Sequence, residues 1–172
     1  MSSASTSTRL MVNMAEIHVL TGAGQLVGLG LGSCIGLAAY DGSKKIAGLA
    51  HIVLPEAFVD RAVTEPGKFA DTALPELIRK MELAGASRAS LKFAYCGGAN
   101  VFKFGPGKTN DVLEVGRRNA DAVKAVLSKF SCRVVAHDVG GNSGRTMTFD
   151  VATGLIQVKV LSVGQEDLCT LS

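Results

Sequence analysis

Residues 34–53 read CIGLAAYDGSKKIAGLAHIV, two apolar runs, Cys34 to Tyr40 and Lys45 to Val53, on either side of Asp41-Gly42-Ser43. Short apolar runs bounded by a turn of Asp, Gly and Ser predict a β-hairpin, with Cys34 where its first strand begins. Upstream, Glu16 to Leu20 and Gln25 to Leu31 suggest two further short strands. Downstream, Leu74, Leu77, Ile78 and Met81 follow i, i+3, i+4, i+7 spacing, which predicts a helix with Asp71 and Thr72 as caps and Gly85 as its stop. Leu91 to Cys96 reads as a strand running into Gly97-Gly98. Asn119, Ala122, Val123, Val126, Leu127 and Phe130 then trace a second amphipathic helix. Cys132 to Val139, Arg145 to Val151 and Leu155 to Leu161 close the chain as strands, separated by the turns at 140–144 and 152–154. Many strands with two main helices make an α+β sandwich.

The chain has 172 residues, enough for one domain with a real core. Residues 1–9, Ser/Thr-rich, read as a flexible tail, and 10–172 as a single domain. Hydrophobic residues make up 47% and charged residues 19%, which excludes disorder for most of the chain. The net charge of +3 is scattered, Trp is absent, and Tyr and Phe number two and seven, so a nucleic-acid surface is not expected. Cys34, Cys96, Cys132 and Cys169 lie far apart with no C-x-x-C, which argues against a zinc site and for free thiols in a reducing compartment. No secretory signal opens the sequence, so a cytoplasmic protein is expected. Leu20 to Tyr40 carries no charge and spaces Gly28, Gly32 and Gly36 four apart, as membrane helix pairs do. Its further glycines, with Gln25 and Ser33, favour strands joined by glycine turns over membrane insertion.

Gly105-Pro106-Gly107-Lys108-Thr109 ends like a phosphate-binding loop, but the first glycine of that motif would fall at Phe102. The glycines from Gly22 to Gly36 give no dinucleotide fingerprint either. The run Gly28-Leu29-Gly30-Leu31-Gly32-Ser33-Cys34 differs because its glycines end at a thiol. Bare backbone there brings N–H groups close to an oxygen acquiring charge, as acyl transfer requires. His51, seventeen positions on, lies near the end of the partner strand of the hairpin, where an imidazole can take the thiol proton. A buried structural cysteine and a half-buried structural histidine are the competing readings of the two residues taken singly. His18, and His137 beside Asp138, are lower-ranked bases. Arg117-Arg118 and the Phe102 to Lys108 loop are given no role.

Several motifs occur in one order: Gly30 to Cys34, Gly48 to His51 with Leu54-Pro55, Lys68 to Pro75, Cys96 to Phe102, Gly116 to Asn119, and Asp138 to Arg145. Over about Glu16 to Lys159 the sequence resembles the chemoreceptor glutamine deamidases, the CheD family. The resemblance implies an enzyme that hydrolyses side-chain amides of glutamines in methyl-accepting chemotaxis receptors, giving glutamate and ammonia; the same machinery is expected to cleave a glutamate methyl ester, which differs only in its leaving group. It implies a layered α/β/β sandwich like the catalytic domain of cytotoxic necrotizing factor, with no cofactor and no metal. By position the nucleophile is Cys34 and the general base and acid is His51, with backbone support at Gly32 and Ser33. The implied partners are cytoplasmic receptor helices and a response-regulator phosphatase of the same pathway.

Two positions depart from the family pattern. The family places a Thr six residues before its Cys to orient the His; that position is Gly28. Either another group orients His51, such as a backbone carbonyl, or activity is lower, and a docking module for receptors or the phosphatase is the alternative function. A thiol hydrolase acting on free amides is a third reading. Cys96 stands where the family commonly has Phe, a packing change and not a second nucleophile.

Overall fold

The computed structural model describes residues 8–100, 114–160 and 163–172. Their order is β1 (Arg9–Met11), β2 (Ile17–Thr21), β3 (Gln25–Leu31), β4 (Ile35–Asp41), β5 (Ile46–Ile52), α1 (Ala70–Leu83), β6 (Lys92–Gly97), α2 (Val115–Lys129), β7 (Arg133–Val139), β8 (Arg145–Asp150), β9 (Leu155–Val160) and β10 (Gly164–Thr170). The strands form two five-stranded sheets, ordered β2-β5-β4-β6-β7 and β1-β3-β8-β9-β10.

The expected hairpin is the centre of the first sheet, its arms paired from Ile35↔Ile52 to Asp41↔Ile46. Its turn is fixed by the Asp41 carboxylate, which accepts hydrogen bonds from Ser43 N at 3.1 Å, Ser43 Oγ at 2.7 Å and Ser87 N at 2.9 Å. Burial pushes that carboxyl's pKa up, but these bonds outweigh it and hold the group below the usual range.

Successive side chains of a strand face opposite ways. Ile35, Leu37, Ala39, Ala50 and Ile52 therefore pack with Leu74, Leu77 and Met81 of α1 and Val123 and Leu127 of α2. Cys34, Ala38, Tyr40, Ala47 and Leu49 pack instead with Leu26, Leu31, Met147, Phe149 and Ile156 of the second sheet. Helices on one face and a sheet on the other make the α/β/β sandwich.

Two expectations are corrected. Arg9, counted with the tail, opens β1, because Arg9 to Met11 pairs in parallel with Gln25 to Val27 and buries Val12 beyond it; residues 1–7 lie outside the described residues. Asp71 and Thr72 lie inside α1 and do not cap it. Phe69 holds the cap position without a side-chain bond, Thr72 Oγ1 donates to Pro66 O at 2.6 Å, and Asp71 accepts from Ala57 N at 3.1 Å. The second helix is found as expected, over Val115–Lys129, and its first turn seats Gly116 against Ala99. The strand β10 was not expected: its segment, GQEDLCT, is mostly exposed and is held by pairing with β9 at the edge of the sheet. The Gly105 to Thr109 run and the whole Phe102 to Lys108 loop lie outside the described residues.

Candidate functional site

The hairpin register sets Cys34 and His51 on one face. Gly36 pairs with His51, so Cys34, just ahead of β4, stands diagonally from His51 across a residue with no side chain. Diagonal neighbours of this kind are separated by about 7–8 Å between backbones, within reach of an imidazole. Both point between the two sheets and both are buried, at 7% and 3% exposure. Burial pushes the Cys34 thiol up from its ordinary value and the His51 imidazole down. Thiol and imidazole are both neutral at rest.

His51 is oriented by main chain. Its Nδ1 lies 2.9 Å from the Val12 carbonyl, which can only accept, so Nδ1 carries the hydrogen and Nε2 the lone pair. Val12 is itself held by its N–H on Val27 O at 2.8 Å. His51 Nε2 is buried and finds no hydrogen-bond partner among the described residues. An unpartnered buried nitrogen costs about 1–3 kcal/mol, a cost that a reacting partner would offset. Gly28, which has no side chain to orient the ring, lies on β3 facing Leu49; a Cβ there would sit in ordinary contact, 3.5 Å from Leu31 and 3.7 Å from Leu49.

The carbonyls around the thiol are all engaged. Gly32 O accepts from Ala99 N at 2.8 Å, Cys34 O from Gly98 N at 3.0 Å, and Ser33 O from Asn119 Nδ2 at 2.9 Å. A trans peptide unit points its C=O and N–H in opposite directions. The Cys34 N–H therefore points away from Asn119, and the Ser33 N–H points away from Ala99.

The close approach depends on Gly97, whose φ is +118° and whose Cβ, if present, would stand 2.1 Å from the Cys34 carbonyl oxygen. Gly97→Ala is expected to lower stability by at least about 2 kcal/mol, through both the clash and the backbone conformation, as read by thermal denaturation.

The lower-ranked bases fall elsewhere. His18 meets the Glu16 carboxylate at 3.0 Å on a half-exposed edge. His137 stacks on Tyr95 with ring centroids 5.4 Å apart, whereas Asp138 pairs with Arg145 at 3.1 Å, so these neighbours do not form a couple. Arg117 is a surface residue paired with Glu114 and Asp121. Cys96 lies across Gly36 from His51, but burial pushes its thiol up to about 12, which leaves it a packing residue. All four cysteines are free. Among the described residues no group of three His, Cys, Asp or Glu side chains is placed to hold a metal ion, and no helix is long and apolar enough to cross a membrane.

Between β7, β8 and the β9–β10 edge opens a polar cleft of about 510 Å³ lined by Asp138, Asn142, Arg145 and Glu166 among others. Arg145 joins it to the site by donating from Nη1 to Gly97 O at 3.2 Å.

A protein-family model described as CheD chemotactic sensory transduction matches residues 53–160. The chain is also 43% identical over 159 residues to a Clostridium botulinum protein of strain Hall, covering 92% of this chain and 97% of that one. The chain belongs to the CheD family. A second relative, from the Alaska strain of the same species, is 41% identical over 162 residues, covering 94% of this chain and 99% of its own. Both carry the name "probable chemoreceptor glutamine deamidase CheD". The CheD family model starts at Val53, beyond His51, while the pairwise matches cover nearly the whole chain.

Val12 and Asn119 were not singled out as site residues from the sequence. Val12 acts through a carbonyl that every residue has, so no letter marks it; Asn119 fell within the Gly116 to Asn119 motif, and its buried place in a helix of otherwise apolar buried positions is the signal that could have found it.

Proposed function

We propose that this chain is a chemoreceptor glutamine deamidase, with Cys34 as nucleophile and His51 as base and acid. His51 Nε2 takes the thiol proton as Cys34 Sγ attacks the glutamine Cδ. The N–H groups of Ser33 and Cys34 hold the resulting oxyanion. As the C–N bond breaks, the imidazolium returns the proton to the leaving nitrogen, ammonia departs, and a thioester remains on Cys34. His51 then deprotonates water, which attacks the thioester; the oxyanion collapses to glutamic acid, and the proton returns to the thiolate. A glutamate methyl ester enters the same sequence with methanol as the leaving group.

The single observation that carries this reading is the buried, unpartnered Nε2 of His51, its tautomer set by Val12 O, on the same face as Cys34. The proposed substrates are cytoplasmic helices of chemoreceptors, a reading supported by the relatives' name of chemoreceptor glutamine deamidase, and the proposed location is the cytoplasm, where those helices lie. A response-regulator phosphatase is the proposed regulatory partner. Mass spectrometry of a receptor cytoplasmic fragment incubated with the protein tests the activity: amide-to-acid conversion at single glutamines is expected. A folded protein that converts none acts instead as a docking module.

Because Nδ1 is already held by the Val12 carbonyl and Nε2 is the nitrogen that takes the thiol proton, a hydroxyl at position 28 is not needed to orient the ring. Gly28→Thr is therefore expected to change kcat by less than about threefold. A rise of about tenfold or more would mean that the carbonyl alone orients His51 poorly.

A further inference from the structure

We propose that Asn119 is a positioning residue, a brace from α2 that sets the spacing between Cys34 and His51; the proposal rests on the reading of that pair as the reacting groups. The Asn119 side chain is fully buried and its Nδ2 donates to two carbonyls, Ser33 O at 2.9 Å and Val53 O at 2.8 Å. Ser33 directly precedes the nucleophile, and Val53 lies two residues beyond the base.

The ladder between the two strands ends at Ile35↔Ile52. Ser33 and Val53 lie past that last pair, where β4 and β5 no longer hold each other. A single NH₂ group spans the gap in place of the next ladder bonds. Its seat is rigid as well. A Cβ on Gly116 would stand 2.2 Å from Ala99 O, so α2 rests directly on the turn whose Ala99 N–H binds Gly32 O. Helix, turn and nucleophile loop make one block.

The residue type follows from the partners. Two carbonyls can only accept, so the brace needs two donors on one short side chain, and asparagine has them. Aspartate has none when ionised, and leucine of similar size leaves both carbonyls unsatisfied. The amide Oδ1 is buried with no hydrogen-bond partner among the described residues, a cost that apolar packing at this position would avoid.

Proton transfer between Sγ and Nε2 needs a separation of about 2.6–3.2 Å, and a displacement near 1 Å can cost about a hundredfold in rate. Loosening the brace therefore lowers kcat and spares binding. For Asn119→Ser, which leaves room for water to satisfy the carbonyls, kcat is expected to fall at least about tenfold with KM within about twofold.

The deciding test does not depend on deamidation. The rate of Cys34 alkylation by iodoacetamide, read by peptide mass spectrometry near neutral pH, is measured in the wild-type protein, Asn119→Ser, His51→Ala and the double variant. Asn119→Ser is expected to slow alkylation at least about fivefold when His51 is present and less than about twofold when it is absent, since a brace acting on the pair loses its effect with either member. An equal effect in both backgrounds, or none in either, overturns the proposal. If Asn119→Ser fails to fold, Asn119→Asp, the same shape without the donors, takes its place under the same criteria. A His51-dependent effect in a protein that deamidates no receptor fragment would leave the brace standing and sink the deamidase reading; the converse pattern would do the reverse.

Discussion

Incubated with a receptor cytoplasmic fragment, Cys34→Ala is expected to leave glutamine deamidation near its uncatalysed rate, a loss of about 10⁴-fold or more in kcat. The substitution removes Sγ and with it the covalent route, so no proton taken by His51 can be turned into attack on the amide. It does little else. Cys34 retains its Cβ and its main-chain bonds, and the lost contacts cost about 1 kcal/mol, so the variant should fold and can be compared directly by mass spectrometry. Cys132→Ala is the control. That thiol packs at the margin of the helix-side core, and its loss should lower stability alone. Equal turnover in the two variants would sink the assignment of Cys34.

His51→Ala should lower kcat by about 10²–10⁴-fold, the range for removing a general base that also serves as acid. The pH dependence of the wild-type protein tests the same residue with no mutation. Burial in the inter-sheet core disfavours the imidazolium, and the bond to Val12 O and the charge of Glu16 offset only part of it, so the ring titrates below its ordinary 6.5. The base form is present throughout the neutral range, and kcat/KM should fall only as pH drops below about 6.5. Burial moves the Cys34 thiol the other way, above 9.0. The alkaline limb should therefore lie above that value, where the proton destined for the leaving nitrogen is lost before attack. A broad plateau between the limbs is the expected profile, and an acid limb centred above 6.5 would contradict the buried neutral base. Stability carries the same sign. The depressed His51 contributes stability that is present above its unfolded pKa and lost as pH falls through the lower folded one, so His51→Ala should make the fold less sensitive to acid.

The parts of this fold legible in the sequence were local. The β4–β5 hairpin could be read because an Asp-Gly-Ser turn and two apolar runs lie within twenty residues, and the turn carboxylate does bind the main chain beside it. That reading placed Cys34 and His51 on neighbouring strands. The helices were legible from their buried stripes, though the caps were not, since Asp71 and Thr72 spend their oxygens on Ala57 and Pro66. The two edge strands of the second sheet escaped for opposite reasons. Three residues of β1 are too few to show a period, and β10 is too exposed to show an apolar one.

By itself the sequence determined the α+β class, the central hairpin, the family and the candidate pair, Cys34 and His51. Tertiary structure alone decided what surrounds those two. His51 takes its orientation from Val12, 39 residues away, and Asn119 joins Ser33 and Val53 across 86 and 66 residues. Hydrophobic periodicity records which side chains are buried along one element. It carries no record of which main-chain carbonyl a distant donor will meet, because every residue offers the same carbonyl and only the packing of the sheets and α2 chooses among them.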